Sequence, residues 1–288
     1  MEFSCMFVSL LLGLHALAVV RASVGGTFDD CEQFMYKGTA PLWLEDHSLK
    51  RICQRFADRP RYATLYDTAN HIPVYSAYSF KRSDGAKRVD VPWMFEPQLA
   101  QDKSRSEMQP FPQGDYHQNF EDTQAILSDY IYAFSFERGQ LNPDPHQADP
   151  NDKAATYTLT NIVPQVREFN IGPWAQHKNM IRMRLNNYCR GTAYVVTGVT
   201  TSGNMIRRNE VARVAIPKYM WSAYCCTNYD RNAPNSEKSK FPAHAAYGLN
   251  ARTDNEVVEL TVKGLENFLK ESMSVDKNIQ IFYHNCIA

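Results

Sequence analysis

Three short segments hold the polar side chains best placed to do chemistry together. They are Glu137-Arg138-Gly139-Gln140-Leu141-Asn142-Pro143, Thr158-Leu159-Thr160-Asn161-Ile162-Val163-Pro164-Gln165 and Phe169-Asn170-Ile171-Gly172-Pro173-Trp174. Arg138 offers a planar fork of donors that keeps its charge. Gln140, Asn161 and Asn170 are neutral amides that hydrogen-bond but take up no proton near neutral pH. Other candidates are less organised. His146 lies in the turn-rich stretch 142–153 and reads as a solvated surface group. His71, His117, His177 and His244 show no spacing that suggests a metal or a catalytic pair, and Asp115, Glu121 and Asp122 form no convincing carboxylate pair. The chain lacks a CxxC pair, which argues against a zinc site.

The elements that must position these residues follow from pattern. In residues 60–80, two β-prone runs, Tyr62–Tyr66 and Ile72–Phe80, flank Asp67-Thr68-Ala69-Asn70, which predicts a hairpin. Residues 100–120 are polar, contain Pro110 and Pro112, and read as a surface loop. Asp122–Phe134 reads as amphipathic, turning strand-like at Tyr130–Phe136, and Thr156–Val163 reads as a strand. Gly172-Pro173 opens a helix, since proline suits its first turn, with Trp174, Ile181, Leu185 and Tyr188 as a core-facing stripe. Thr192–Thr200 suits a central strand. Val211–Ile216 with Met220–Cys226 predicts a strand pair, and Glu256–Lys270 an amphipathic helix. The pattern is that of a mixed α+β domain with an antiparallel-rich sheet.

With these segments in place, the sequence resembles the DNA/RNA non-specific endonucleases, secreted ββα-metal nucleases of the His-Me finger type. There an Asp-Arg-Gly-His segment precedes Ser/Thr-Asn-x-x-Pro-Gln, and an Asn opening a Gly-x-Trp helix follows the first Asn by nine residues, the spacing of Asn161 and Asn170. The likeness runs from about Pro60 to Cys286. It is similar within the family to the endonuclease domain-containing 1 group, through YATLYDTANHIPVYSAYSF, Trp93-Met94-Phe95-Glu96-Pro97-Gln98-Leu99 and Ile216-Pro217…Trp221. The resemblance implies an α+β fold with a central antiparallel-rich sheet flanked by helices, stabilised by disulfides. It implies hydrolysis of DNA or RNA phosphodiesters with one Mg²⁺ or similar divalent cation. Asn170 would hold the ion, which keeps most of its waters. Asn161 would sit behind it, and Arg138 would clamp phosphate.

Two positions depart from that pattern. Where the family carries its general-base histidine stands Gln140, and losing a general base costs roughly 10²–10⁴ in rate. Where the family carries a glutamate that orders the metal-bound waters stands Lys178, on the helix face set by Trp174 and Ile181. At about 6 Å and an effective dielectric of about 20, a divalent ion and a lysine head repel by about 5–6 kcal/mol, less if the lysine swings away. The family's first-motif Asp is Glu137, a milder change. The expectation is a nuclease-type protein with an impaired site. The alternatives are a silent binding module for nucleic acid or protein, and an extracellular protein whose old active site is irrelevant. Asn161 and Asn170 also fit as local caps, and Arg138 as an ion-pair partner.

Length, charge and cysteines set the context. The 288 residues carry 31 basic and 31 acidic groups, so general attraction to polyanions is excluded and nucleic-acid binding needs a local patch. Met6–Val20 is uncharged and mostly apolar, and Val20-Arg21-Ala22 precedes Ser23. Residues 1–22 therefore read as a secretory signal, too short for a bilayer span, with a single domain over 23–288 and an extracellular destination. No other stretch is apolar enough to cross a membrane. The cysteines left after it, Cys31, Cys53, Cys189, Cys225, Cys226 and Cys286, favour disulfides. Cys31 with Cys53 would close a short loop. Cys189 or one of the adjacent pair would join Cys286.

Overall fold

The computed structural model describes residues 23–43, 45–86, 89–112 and 118–287. The expected signal, and Asp115 and His117, lie outside the described residues. Twelve strands occur among them: β1 Val24–Gly25, β2 Leu49–Phe56, β3 Arg59–Asp67, β4 Ile72–Ser79, β5 Met94–Phe95, β6 Gln109–Pro110, β7 Phe136–Gln140, β8 Ile162–Val166, β9 Ala193–Arg208, β10 Val211–Cys226, β11 Ala243–Leu249 and β12 Val257–Leu260. Eight make one sheet in the order β1-β2-β3-β4-β9-β10-β11-β12, with every pairing antiparallel. β5 pairs with β6, and β7 with β8, in two small ribbons.

The expected hairpin at Asp67–Asn70 is present between β3 and β4. The Asp67 carboxylate accepts from the amides of Ala69 and Asn70, which holds the turn. Four expectations need correction. Val211–Ile216 and Met220–Cys226 are one strand: β10 runs through Pro217, with register shifts at Ala215/Pro217 and Pro217/Tyr219. A bulge tolerates a residue with no N–H, and β11 pairs β10 only from Tyr219 onward. Glu256–Lys270 is not one helix. Val257–Leu260 forms β12 on the sheet edge, as β-branched residues favour. Thr261 then caps a helix at Val262–Ser272 by accepting from the Gly264 amide.

The other two corrections fall around the site. Within Asp122–Phe134 the chain forms short turns of helix, Gln118–Thr123 and Leu127–Tyr130, and the strand begins only at Phe136. Within Thr156–Val163 a 3-10 turn at Leu159–Asn161 precedes β8, which runs on to Val166. The stretch 142–153 contains a 3-10 turn at Asp144–His146 and a helix from Pro150, capped by the Asp149 carboxylate.

The core lies on both faces of the large sheet. One face packs Trp43, Trp221, Leu65 and Tyr75 against Leu265 and Leu269 of the C-terminal helix. The other packs Tyr62, Tyr78 and Val195 against Ile181 and Leu185 of the helix Pro173–Tyr188. Trp174 is fully buried with Phe169 and Leu141. Three disulfides join Cys31 to Cys53, Cys189 to Cys226, and Cys225 to Cys286. The adjacent cysteines thus take different partners, and Cys225 is the one that anchors the C-terminal segment. Among the described residues no helix is long and apolar enough to cross a membrane.

Candidate active site

The three segments converge as two strands and a helix. β7 and β8 pair with Arg138 opposite Pro164 and Gln140 opposite Ile162. Gly139 lies between them because any Cβ there would collide with the Gln165 side chain. β8 leads into a short helix, Arg167–Ile171, and Gly172-Pro173 resets the chain direction for Pro173–Tyr188. Residues two apart on a strand share a face, so Arg138 and Gln140 project from the same side of β7. Arg138 is exposed, with its guanidinium 4.7 Å from the Trp93 ring centre. Glu137 pairs with Arg167 at 2.7 Å.

Gln140 is bound into the scaffold. Its Nε2 donates to Thr156 O at 3.1 Å and Thr156 Oγ1 at 2.9 Å, and its Oε1 accepts from the Asp144 amide at 3.3 Å. Both amide protons are committed, so the side chain clips β7 to the segment 144–156. Asn161 is fully buried. Its Oδ1 accepts from Ser76 Oγ and the Asn142 amide, and its Nδ2 donates to the carbonyls of Asn142 and Thr156. The Thr156 carbonyl thus ties Gln140 and Asn161 together.

Asn170 and Lys178 form the second half of the site. Both are half-buried, and Lys178 Nζ donates to Asn170 Oδ1 at 3.4 Å. Burial lowers the Lys178 pKa to about 8, opposed by the Asp144 carboxylate. His146 connects the halves. It is buried, not solvated as its loop suggested, because Tyr78 of β4 and Phe80 just after it pack on it. A carbonyl can only accept, so its Nε2–H donates to Lys178 O at 2.9 Å and its Nδ1 accepts from Tyr78 Oη at 2.9 Å. Burial pulls its pKa down to about 4, with Lys178 and Arg182 adding to the effect and the hydrogen bond to Lys178 opposing it. With neither ring nitrogen free, His146 is no substitute base. His177, next to Lys178 on the helix Pro173–Tyr188, bonds Ser222 Oγ at 2.8 Å, and burial pulls its pKa to about 3. Beside it lies a small cavity of about 10 Å³, room for one water and no nucleotide. His71 bonds the carbonyls of Arg213 and Asp122, and His244 lies near Glu259, both apart from these residues.

The sequence profile of the DNA/RNA non-specific endonuclease family matches residues 45–280. The chain belongs to this family. It is 34% identical to the Endonuclease domain-containing 1 protein of Mus musculus over 207 residues, 69% of this chain and 39% of that protein. To the Homo sapiens protein of the same name it is 30% identical over 267 residues, 90% of this chain and 48% of that protein. The chain thus spans less than half the length of these relatives. A chain of the solved EndoG/EndoGI complex superposes with a TM-score of 0.51 at 15% identity, covering 85% of this chain and 89% of that one, a likeness of fold.

The endonuclease family generally depends on a divalent metal, and the residues here fit one poorly. Asn170 Oδ1 is already the acceptor of an ammonium, and Glu137 faces Arg167. Among the described residues no three His, Cys, Asp or Glu side chains gather as a metal site. Sequence reasoning missed Trp93 as the platform for Arg138 and Asp144 as the counter-charge of Lys178. Trp93 lies within a quoted motif but far from Arg138 in sequence, and nothing in spacing marks either contact.

Proposed function

We propose that this protein is a secreted member of the endonuclease family in which phosphodiester hydrolysis is lost or strongly impaired and nucleic-acid binding at the β7–β8–helix site remains. Residues 1–22 act as its signal and residues 23–288 fold as one endonuclease-like domain, and the three disulfides suit an oxidising compartment. The observation that carries the reading is the state of the base position. Gln140 cannot accept a proton, its amide protons are spent on Thr156, and the neighbouring imidazole of His146 is sealed in the core. What remains for a phosphate is cationic: Arg138 on Trp93, and Lys178 beside Asn170.

The test is cleavage of plasmid DNA and of RNA in Mg²⁺ by the native protein and by Gln140→His combined with Lys178→Glu. Turnover confined to the double variant is the expected result. Robust cleavage by the native chain would sink the reading. If neither cleaves nor binds nucleic acid at low salt, the nuclease groove has no remaining role.

A further inference from the structure

We propose that the Lys178 ammonium is the resident cation of this site: it takes the seat of a divalent ion on Asn170 and lets the site bind a nucleic-acid phosphodiester without metal. The ligand class rests on the reading above; the exclusion of the metal does not.

Three observations carry the inference. Asn170 Oδ1, the side-chain oxygen that family resemblance assigns to the ion, accepts from Lys178 Nζ at 3.4 Å. A dication on that oxygen would face the ammonium at close range and be repelled by it. Next, the described residues around the site supply too little negative charge to favour a dication over a lysine. The Asp144 carboxylate accepts from Tyr157 Oη at 2.7 Å, and Glu137 is matched by Arg167. One carboxylate at a distance suits a single positive charge. Finally, the lysine is held in place. Its own carbonyl receives the His146 Nε2–H, and its helix begins at Pro173, next to the seat. Among the described residues, Asn170 is the hydrogen-bond acceptor of Nζ. An ammonium has three donors, so the others can reach phosphate oxygens.

The experiment uses the full chain, a short fluorescein-labelled oligodeoxynucleotide read by anisotropy, and Mn²⁺ read by electron paramagnetic resonance. The expected native result is oligonucleotide binding that changes less than about twofold between EDTA and Mg²⁺, with no bound Mn²⁺. Lys178→Gln should weaken binding at least about fivefold and reduce the salt slope by about one. Lys178→Glu should gain a Mn²⁺ site. Thermal melts of both variants confirm that they fold. Native binding that requires Mg²⁺, or native Mn²⁺ binding as tight as that of Lys178→Glu, overturns the proposal. Failure of the oligonucleotide to bind under any condition would sink the nucleic-acid reading instead. The manganese comparison would then still decide the lysine: a site gained only in Lys178→Glu supports it, and a site already present in the native chain overturns it.

Discussion

Two cations on the helix Pro173–Tyr188, buried Arg184 and half-buried Lys178, have opposite surroundings. Arg184 donates to Glu237 Oε2 at 2.8 Å and to Glu259 Oε1 at 2.9 Å, and Lys240 closes the group on Glu259. Burial works against the Arg184 charge, but Tyr224, Glu259 and Glu237 outweigh it and move its pKa up. Lys178 has an amide as its hydrogen-bond partner, and burial moves its pKa down to about 8. One cation is neutralised where it stands, as a structural ion pair is. The other keeps an unspent charge at the site, at a cost to stability. A charge held at a site at a cost to folding is one that a ligand can use.

The largest effect that tests this contrast is acid pH. His146 and His177 lie on the Lys178 side and are neutral in the folded protein, with pKa values of about 4 and about 3. An unfolded histidine titrates near 6.5. Above that pH neither state holds the proton, and the histidines contribute no pH dependence. Below it the unfolded chain binds protons that the folded chain refuses, so stability falls by up to about 1.4 kcal/mol per pH unit for each histidine. The fall ends for His146 near pH 4 and for His177 near pH 3. Urea denaturation between pH 7 and 4.5 should lose several kcal/mol, and His146→Gln should remove about half of the slope. A flat profile would show that these histidines are accessible and that the seat is not sealed from below.

Next in size is Arg184→Ala. Breaking a buried ion pair by removing one partner costs about 3–5 kcal/mol. Glu237 and Glu259 are each about a quarter exposed, which favours the lower end. Oligonucleotide affinity should stay within about twofold of native. A cost below about 1 kcal/mol in urea would erase the distinction between the two cations. Gln140→Ala should cost roughly 1–2 kcal/mol, since it frees Thr156 and the Asp144 amide. A base position still used for catalysis would instead show lost turnover with little change in stability.

How much of this was legible depends on where the contacts lie. The helix opening at Pro173 was legible from its proline and apolar stripe, but the strands were misplaced: β7 begins at Phe136, where the strand-like run was expected to end, and Asn161 closes a 3-10 turn just before β8. The approach of Lys178 to Asn170 was expected only from the resemblance and from the helix face shared with Trp174 and Ile181; the contact itself runs between two helices, across the break at Gly172. Burial of His146 was not legible: Tyr78 and Phe80 arrive from the end of β4 and the residue after it, and turn-forming neighbours say nothing about which strand will cover them. Pro217 looked like a strand boundary because an interior strand proline lacks a donor. Only the sheet order shows that β11 stops at Tyr219 and leaves room for a bulge. The run from Glu256 has helical spacing throughout, yet the open edge of β11 claims Val257–Leu260 first.

The smallest expected change in stability is the most diagnostic. Lys178→Met keeps the apolar stem and removes the charge. At pH 7 native Lys178 is charged in both folded and unfolded states, while its folded pKa is depressed. Charged lysine therefore disfavours folding, and the penalty is present at neutral pH and fades only as pH rises above about 8. Half-exposure screens much of it, so Lys178→Met should gain about 1 kcal/mol, set against the lost bond to Asn170. Arg184→Ala and Lys178→Met thus have opposite signs in the same urea experiment. Binding should reverse the order, with Lys178→Met weakening the oligonucleotide complex and Arg184→Ala leaving it intact. If Lys178→Met destabilises the protein by as much as Arg184→Ala and leaves binding unchanged, both lysine and arginine are structural, and the charge at the seat has no ligand to explain it.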